Sequence, residues 1–194
     1  IAEIDKNQVK KILAREKSAE ALLKILGAST ALADFIIRHN DQLGIFLEKR
    51  SFSINPEKLV KELAMGLSVN SLSSSEYIAL LRKNYRSALL QIAIYDLSAV
   101  DPSNVQPEVS AALSDIAAGA LDLSMELARK ELVSTIEYGR FTEEEVRNTS
   151  LAVIGMGKCG ARELNYISDV DVIFVAESKS AELDNDHMLQ VATK

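Results

Sequence analysis

Apolar residues recur at helical spacing through the first 148 positions, and then the period changes. Ile4, Val9, Ile12, Leu13, Leu22, Leu23, Ile25 and Leu26, set among Lys and Glu, predict one amphipathic helix over 4–26, stopped by Gly27. Ser29 is placed to cap the next helix, with Leu32, Phe35 and Ile36 on its inner face. Asn55 before Pro56 puts a capping amide ahead of a first-turn proline and opens a helix carrying Leu59, Leu63 and Leu67. The polar run SVNSLSSSE (68–76) reads as a loop, in which Ser73 and Glu76 have capping-box spacing. A long helix follows over 77–98, with Leu80, Leu81, Ala88, Leu89, Ile92 and Tyr95 on its apolar side. Asp101 and Pro102 end it. The longest periodic segment, 107–138, carries Val109, Leu113, Ile116, Ala117, Ala120, Leu121, Leu127 and Leu132. Gly139 and the acidic Glu143, Glu144 and Glu145 close it. The ordinary meaning of all these stripes is core packing.

At Leu151 the pattern becomes that of strands. Leu151, Ala152, Val153 and Ile154 form a short apolar run ending in glycine, which predicts a buried strand. The turn Gly155, Met156, Gly157, Lys158, Cys159, Gly160 follows, then a helical turn or two over 161–167. Val172, Ile173, Phe174 and Val175 predict a second buried strand. The fold class is therefore α+β: a helical region over 1–148, and the opening strands of a second domain over 149–194.

Composition agrees with this picture and narrows it. The 47% hydrophobic and 26% charged residues suit a globular protein, and the absence of Trp with an excess of Ala and Leu favours helix packing. A net charge of −6, with no basic stripe interleaved with aromatics, argues against nucleic acid as a partner. One cysteine, Cys159, leaves no internal disulfide or cysteine zinc site and suits a reducing cytoplasm. No apolar run approaches the ~20 residues of a membrane span, and the start has no signal-peptide pattern. Without an initiator Met, and with its most informative motif near one end, the chain reads as a fragment of something longer. His39 and His187 lack a second ligand at metal spacing. Arg82 and Arg86, one turn apart, could bind a phosphate, although solvation or pairing with carboxylates is the commoner use of such residues.

Two chemistries compete for the segment 151–177. Gly155, Gly157 and Gly160 satisfy G-x-G-x-x-G after a strand, and Glu177 ends the next strand where a ribose-binding acid could sit, as in dinucleotide binding. A parallel crossover, however, needs a dozen or more residues, mostly helix, and Gly160 to Ser168 leaves barely two turns. The other reading is nucleotidyl transfer. Asp169 and Asp171, two apart on an extended strand, point their carboxylates to one side. A divalent cation relieves the repulsion between them, and Mg2+ prefers such hard oxygens. The glycine turn, one short connection away, offers backbone N–H groups to a phosphate. An Asp-x-Asp that merely caps a strand is the bland alternative, and the glycine turn beside it tips the balance to a site.

The twenty residues GMGKCGARELNYISDVDVIF at 155–174 match the signature G-M-G-K-x-G-x-x-E-L-N-x-x-S-D-[IV]-D-[LV]-I-F at nearly every fixed position. On these residues the chain resembles the glutamine synthetase adenylyltransferase/adenylyl-removing family. LGASTALADFIIRHNDQL (26–43) and YRSALLQIAIYDL (85–97) extend the resemblance over most of the chain. It implies a nucleotidyltransferase of the DNA polymerase β type, of which 149–194 would be the incomplete beginning. It also implies the half that removes AMP from a glutamine synthetase tyrosine with phosphate, releasing ADP. The ATP-dependent adenylylating half shares the motif and stays open, as does a non-catalytic helical module docking glutamine synthetase or a PII-type signalling protein. By the resemblance Asp169 and Asp171 would bind Mg2+ and Gly155, Gly157 and Gly160 would face nucleotide or phosphate. Ser168 would support the turn, and Glu163 and Asn165 would order the site. Lys158 would either neutralise a phosphate or remain solvated. Cys159, where the family shows an apolar residue such as Leu, reads as a small buried hydrophobe. The superfamily's third carboxylate comes from a later strand, and Glu182, Asp184 and Asp186 lie in a polar stretch with no strand signal. The chain alone is accordingly expected to be inactive.

Overall fold

The structure, a computed structural model, describes residues 5–134, 141–180 and 184–194, with backbone alone at 50 and 51. Expectations resting on Ile4, on 135–138 and Gly139, and on Glu182 lie outside the described residues. Helices dominate: α1 (Lys6–Leu13), α2 (Glu16–Ala28), α3 (Thr30–Arg38), α4 (Pro56–Leu63), α5 (Ser74–Ser98), α6 (Pro102–Ser134), α7 (Glu143–Asn148), α8 (Gly157–Gly160) and α9 (Asn185–Ala192). Two 3-10 helices, Asn40–Leu47 and Lys49–Phe52, join α3 to α4. Strands β1 (Thr149–Gly155) and β2 (Val172–Ser178) make a two-stranded sheet. The α+β class holds at this level.

The capping residues read from the sequence act as caps. The Ser29 hydroxyl accepts the Leu32 N–H, and the Asn55 amide oxygen accepts the Lys58 N–H, with Pro56 in the first turn. Ser73 and Glu76 form a reciprocal capping box at the start of α5. Several boundaries differ from expectation. The helix expected from 107 begins at Pro102, with Pro107 inside it, and Leu67 lies beyond the end of α4. The first helix is two: α1 ends at Ala14, Arg15 turns extended, and the Arg15 guanidinium donates to the Leu47 carbonyl, so the chain folds α2 back on α1. Gly27 sits inside α2, where Ser29, whose hydroxyl starts α3, marks the real stop. Glu143, Glu144 and Glu145 do not close a helix. They open α7, where Thr142 and Glu145 form a second capping box and negative charge meets the positive end of the helix.

The core is built around α5. Leu90, Ala93 and Ile94 pack with Ile12, Ile25, Phe35 and Phe46 of the first helices and turns. Ala88 and Ile92, on the opposite side, pack with Leu59 and Leu63 of α4 and Val109, Leu113 and Ile116 of α6. A helix apolar on two sides serves two cores, which is why its stripe is wider than one amphipathic face. The Tyr77 ring is fully buried, and its hydroxyl donates to the Leu123 carbonyl of α6. Further along, Arg129 of α6 donates to the carbonyls of Val146 and Thr149, tying α6 to the start of β1. His187 of α9 pairs with Glu145 across 2.8 Å and meets the Phe141 ring edge-on, a structural role. His39 packs its ring against Phe35.

The strands are antiparallel, with Gly155 opposite Val172 and Thr149 opposite Ser178. Both were expected to be buried, and neither is: Ile154, Ile173, Phe174 and Val175 keep 47–61% of their surface. A buried strand needs a packed layer on each face, and among the described residues α9 packs against both strands while α7 and α8 meet β1, which leaves much of the sheet uncovered. No described helix is long and apolar enough to cross a membrane.

Two stability outcomes follow. Leu63→Ala, at a fully buried position shared by α4 and α6, should cost about 2–5 kcal/mol in urea unfolding, against under ~0.5 kcal/mol for exposed Leu23→Ala. The Thr142 N–H, then its hydroxyl, hold the Glu145 carboxyl below the usual range. A depressed folded-state value contributes stability above the unfolded value and loses it as pH falls through the folded one. Stability should therefore decline on acidification, and Glu145→Gln should make that decline shallower.

Candidate functional site

The glycine turn is held by contacts that only glycine permits. A Cβ on Gly160 would collide with the Gly155 carbonyl oxygen, so the end of α8 packs backbone to backbone on the end of β1. Gly157 has φ +51°, in the left-handed region that favours glycine. The first bond of α8 runs from the Gly160 N–H to the Met156 carbonyl, leaving the N–H groups of Gly157, Lys158 and Cys159 without an intrahelical acceptor. The helical turn thus comprises the glycines themselves. The segment 161–167, expected as helix, is a turn and irregular chain, because Arg162 enters the left-handed region at φ +59° and breaks the repeat.

That irregular segment is pinned to the helices at several points. Cys159 and Leu164 are buried among Leu63, Ile92 and Ile116, so the thiol is indeed a small hydrophobe. The Leu164 N–H donates to the Ser114 hydroxyl of α6 at 3.3 Å, and Arg162 pairs with Asp115 at 2.8 Å. The Tyr166 hydroxyl donates to Asp96 of α5 at 3.0 Å. Partial burial, and then the Asp96 charge, push that hydroxyl far above its ordinary range, so it stays a donor. None of Ser114, Asp115, Asp96, Arg162 or Tyr166 stood out as a site residue in the sequence. The available signal was Ser110 and Ser114, polar residues four apart on the buried face of α6.

The residues expected to support the site fall into two groups. Asn165 organises the turn before the acids: its side-chain oxygen accepts the Ser168 hydroxyl at 2.8 Å and the Ile167 N–H at 3.1 Å. Glu163 acts through its backbone, its N–H donating to the Lys158 carbonyl at 2.7 Å, while its side chain is exposed. Lys158 is exposed as well.

Asp169 and Asp171 are exposed and lie just before β2. The ladder nonetheless continues past the strand ends, because the Met156 N–H donates to the Asp171 carbonyl at 2.8 Å. The Asp171 side chain then lies 3.8 Å from where a Cβ on Gly157 would stand. One carboxylate of the pair is thereby set against the glycine turn. Among the described residues no three His, Cys, Asp or Glu side chains gather to hold a metal ion. The antiparallel pairing removes the dinucleotide reading, which requires parallel strands joined by a crossover helix.

The glycine turn and the acidic pair, on a hairpin braced by helices, lie within the part of the chain that is similar to known proteins. A model of the family described as glutamate-ammonia ligase adenylyltransferase matches residues 19–192, and the chain belongs to this family. Similar proteins include the bifunctional glutamine synthetase adenylyltransferase/adenylyl-removing enzyme of Leifsonia xyli, 40% identical over 183 residues covering 92% of this chain. The proteins of the same name from Cutibacterium acnes and Streptomyces coelicolor are 32% and 35% identical over 94% and 90% of it. The chain spans 18%, 18% and 16% of these three relatives. No solved structure matches.

Gly160→Ala should destabilise the chain by about 1–3 kcal/mol and shift the amide resonances around Met156 and Asp171, because backbone must move to admit the methyl group. Lys158→Ala, exposed on the same turn, should leave both unchanged.

Proposed function

We propose that this chain is part of an enzyme that controls glutamine synthetase by reversible adenylylation, and that its segment 155–171 contributes to phosphoryl transfer. The observation that carries this is the placement of Asp171 against Gly157, which brings one carboxylate of the acidic pair beside a turn with uncommitted N–H groups. The relatives' names supply the reaction and the protein substrate. The reaction favoured is removal of AMP from a modified tyrosine by phosphate, giving ADP, since a long helical region precedes the motif, as the resemblance to the N-terminal half implies. A PII-type protein is the regulatory partner that reading brings with it.

Asp169 and Asp171 fit Mg2+ in kind, both offering hard carboxylate oxygens exposed to solvent. They fall short in number, so further ligands would come from phosphate oxygens, water or residues outside this chain. Bound there, the cation supplies positive charge where a transferring phosphoryl group gathers negative charge. The N–H groups of Gly157, Lys158 and Cys159 would orient phosphate oxygens, and the Lys158 ammonium would add charge at the rim. Asn165 fixes the approach of Ser168 and, through it, the acids. Arg162, Leu164 and Tyr166 keep the segment on the helices, so the oxygens are positioned before substrate arrives.

The test uses the full-length parent carrying Asp169→Asn and Asp171→Asn, following both AMP addition to glutamine synthetase and its phosphate-dependent removal. Removal should fall by at least about a hundredfold while addition persists. Loss of addition alone would assign the segment to the opposite reaction, and retention of both would reduce it to a scaffold.

A further inference from the structure

Against Tyr166 and Ile167 lies a concave surface that phosphoryl transfer leaves unused. Leu89, Ala93 and Leu97 recur every fourth position along α5 and floor a cleft of about 430 Å3. Ile25 and Leu32 wall it from α2 and α3, and Tyr166 with Ile167 closes the side nearest the acids. Three walls make it a pocket for a small body, of the size that ordinarily holds one ligand.

Its polar groups are few and unequal. Asp96 is occupied by the Tyr166 hydroxyl, which burial keeps protonated. Arg86, at the opposite end of the floor, has neither an ion pair nor a hydrogen-bond partner among the described residues. An unmatched guanidinium at one end of an apolar trough selects an anion with an apolar body, and its planar fork suits a carboxylate. From Arg86 to Leu97 the helix rises ~16 Å, room for a chain of medium length.

We propose that this cleft binds a small amphipathic carboxylate, its apolar chain along α5 and its head group on Arg86. Occupancy bears on the acidic pair as well, because Tyr166 both closes the cleft and belongs to the segment leading to Asp169 and Asp171. A ligand packed under Tyr166 and Ile167 favours one position of that segment over others. This regulatory half rests on the phosphoryl-transfer reading; the binding half does not.

The experiment titrates the chain with decanoate, and with decanol as the uncharged control, by calorimetry. Decanoate should bind saturably with one site and more tightly than decanol. Arg86→Ala should weaken decanoate about tenfold or more, leaving decanol unchanged, because a charged hydrogen bond is lost. Ala31→Trp, which fills the cleft from an exposed position on α3, should abolish binding while circular dichroism and thermal unfolding stay those of the parent. Absence of saturable binding, or equal binding in both variants, overturns the site. So does loss in Phe174→Ser alone, which would put the ligand on the exposed hairpin. The coupling is read separately, without activity: decanoate should shift amide resonances over 164–171. Binding that leaves them still would overturn the regulatory half and keep the site. Either result is independent of whether Asp169 and Asp171 prove to remove AMP.

Discussion

The burial of Cys159 and Leu164 in the core shared by α4, α5 and α6 is the constraint on which the candidate site depends. The connection between β1 and β2 has little regular structure, and a chain of that kind left in water would sample many conformations. Two apolar anchors in a close-packed interior remove most of that freedom. Polar contacts then fix what burial leaves open. The Ser114 bond satisfies the Leu164 N–H, which would otherwise be an orphaned buried donor. The ion pair of Arg162 with Asp115 is exposed on the Arg162 side, and contributes direction more than energy.

From these anchors the geometry of the acids follows. Leu164 seats the segment, Asn165 turns it, and Ser168 delivers the chain to Asp169. The Met156 to Asp171 bond then extends the ladder of β1 and β2 by one step. On the other strand the close approach of Gly160 to Gly155 brings α8 back over the same end of the sheet. The glycine turn and Asp171 meet there because the two strands share one register. A slip of a single residue would turn the acids to the opposite face.

Much of this was legible in the sequence, and what was not has identifiable causes. Ser29, Asn55 and Ser73 announced helix starts because capping is local chemistry, decided within four residues. The break at Ala14 and Arg15 was hidden because it depends on Leu47, 32 positions away, which no window along the chain contains. Val172 to Val175 read as buried because apolar runs state a preference for burial, whereas burial itself requires a covering layer. The glycines and acids were visible as types, and Asp171 beside Gly157 is the part geometry adds. The bracing by Ser114, Asp115 and Asp96 was invisible, since single polar residues on long helices look alike until a partner arrives from another element.

On the function proposed above, Asp169 and Asp171, and not the other acidic residues, would hold the cation beside the glycine turn. Substoichiometric Mn2+, added to the 15N-labelled chain as a paramagnetic stand-in for Mg2+, tests it most directly. Amide signals at 155–160 and 168–172 should broaden selectively, and the broadening should disappear in the Asp169→Asn, Asp171→Asn chain. Broadening centred instead on Glu143, Glu144 and Asp184, unaffected by those substitutions, would contradict it.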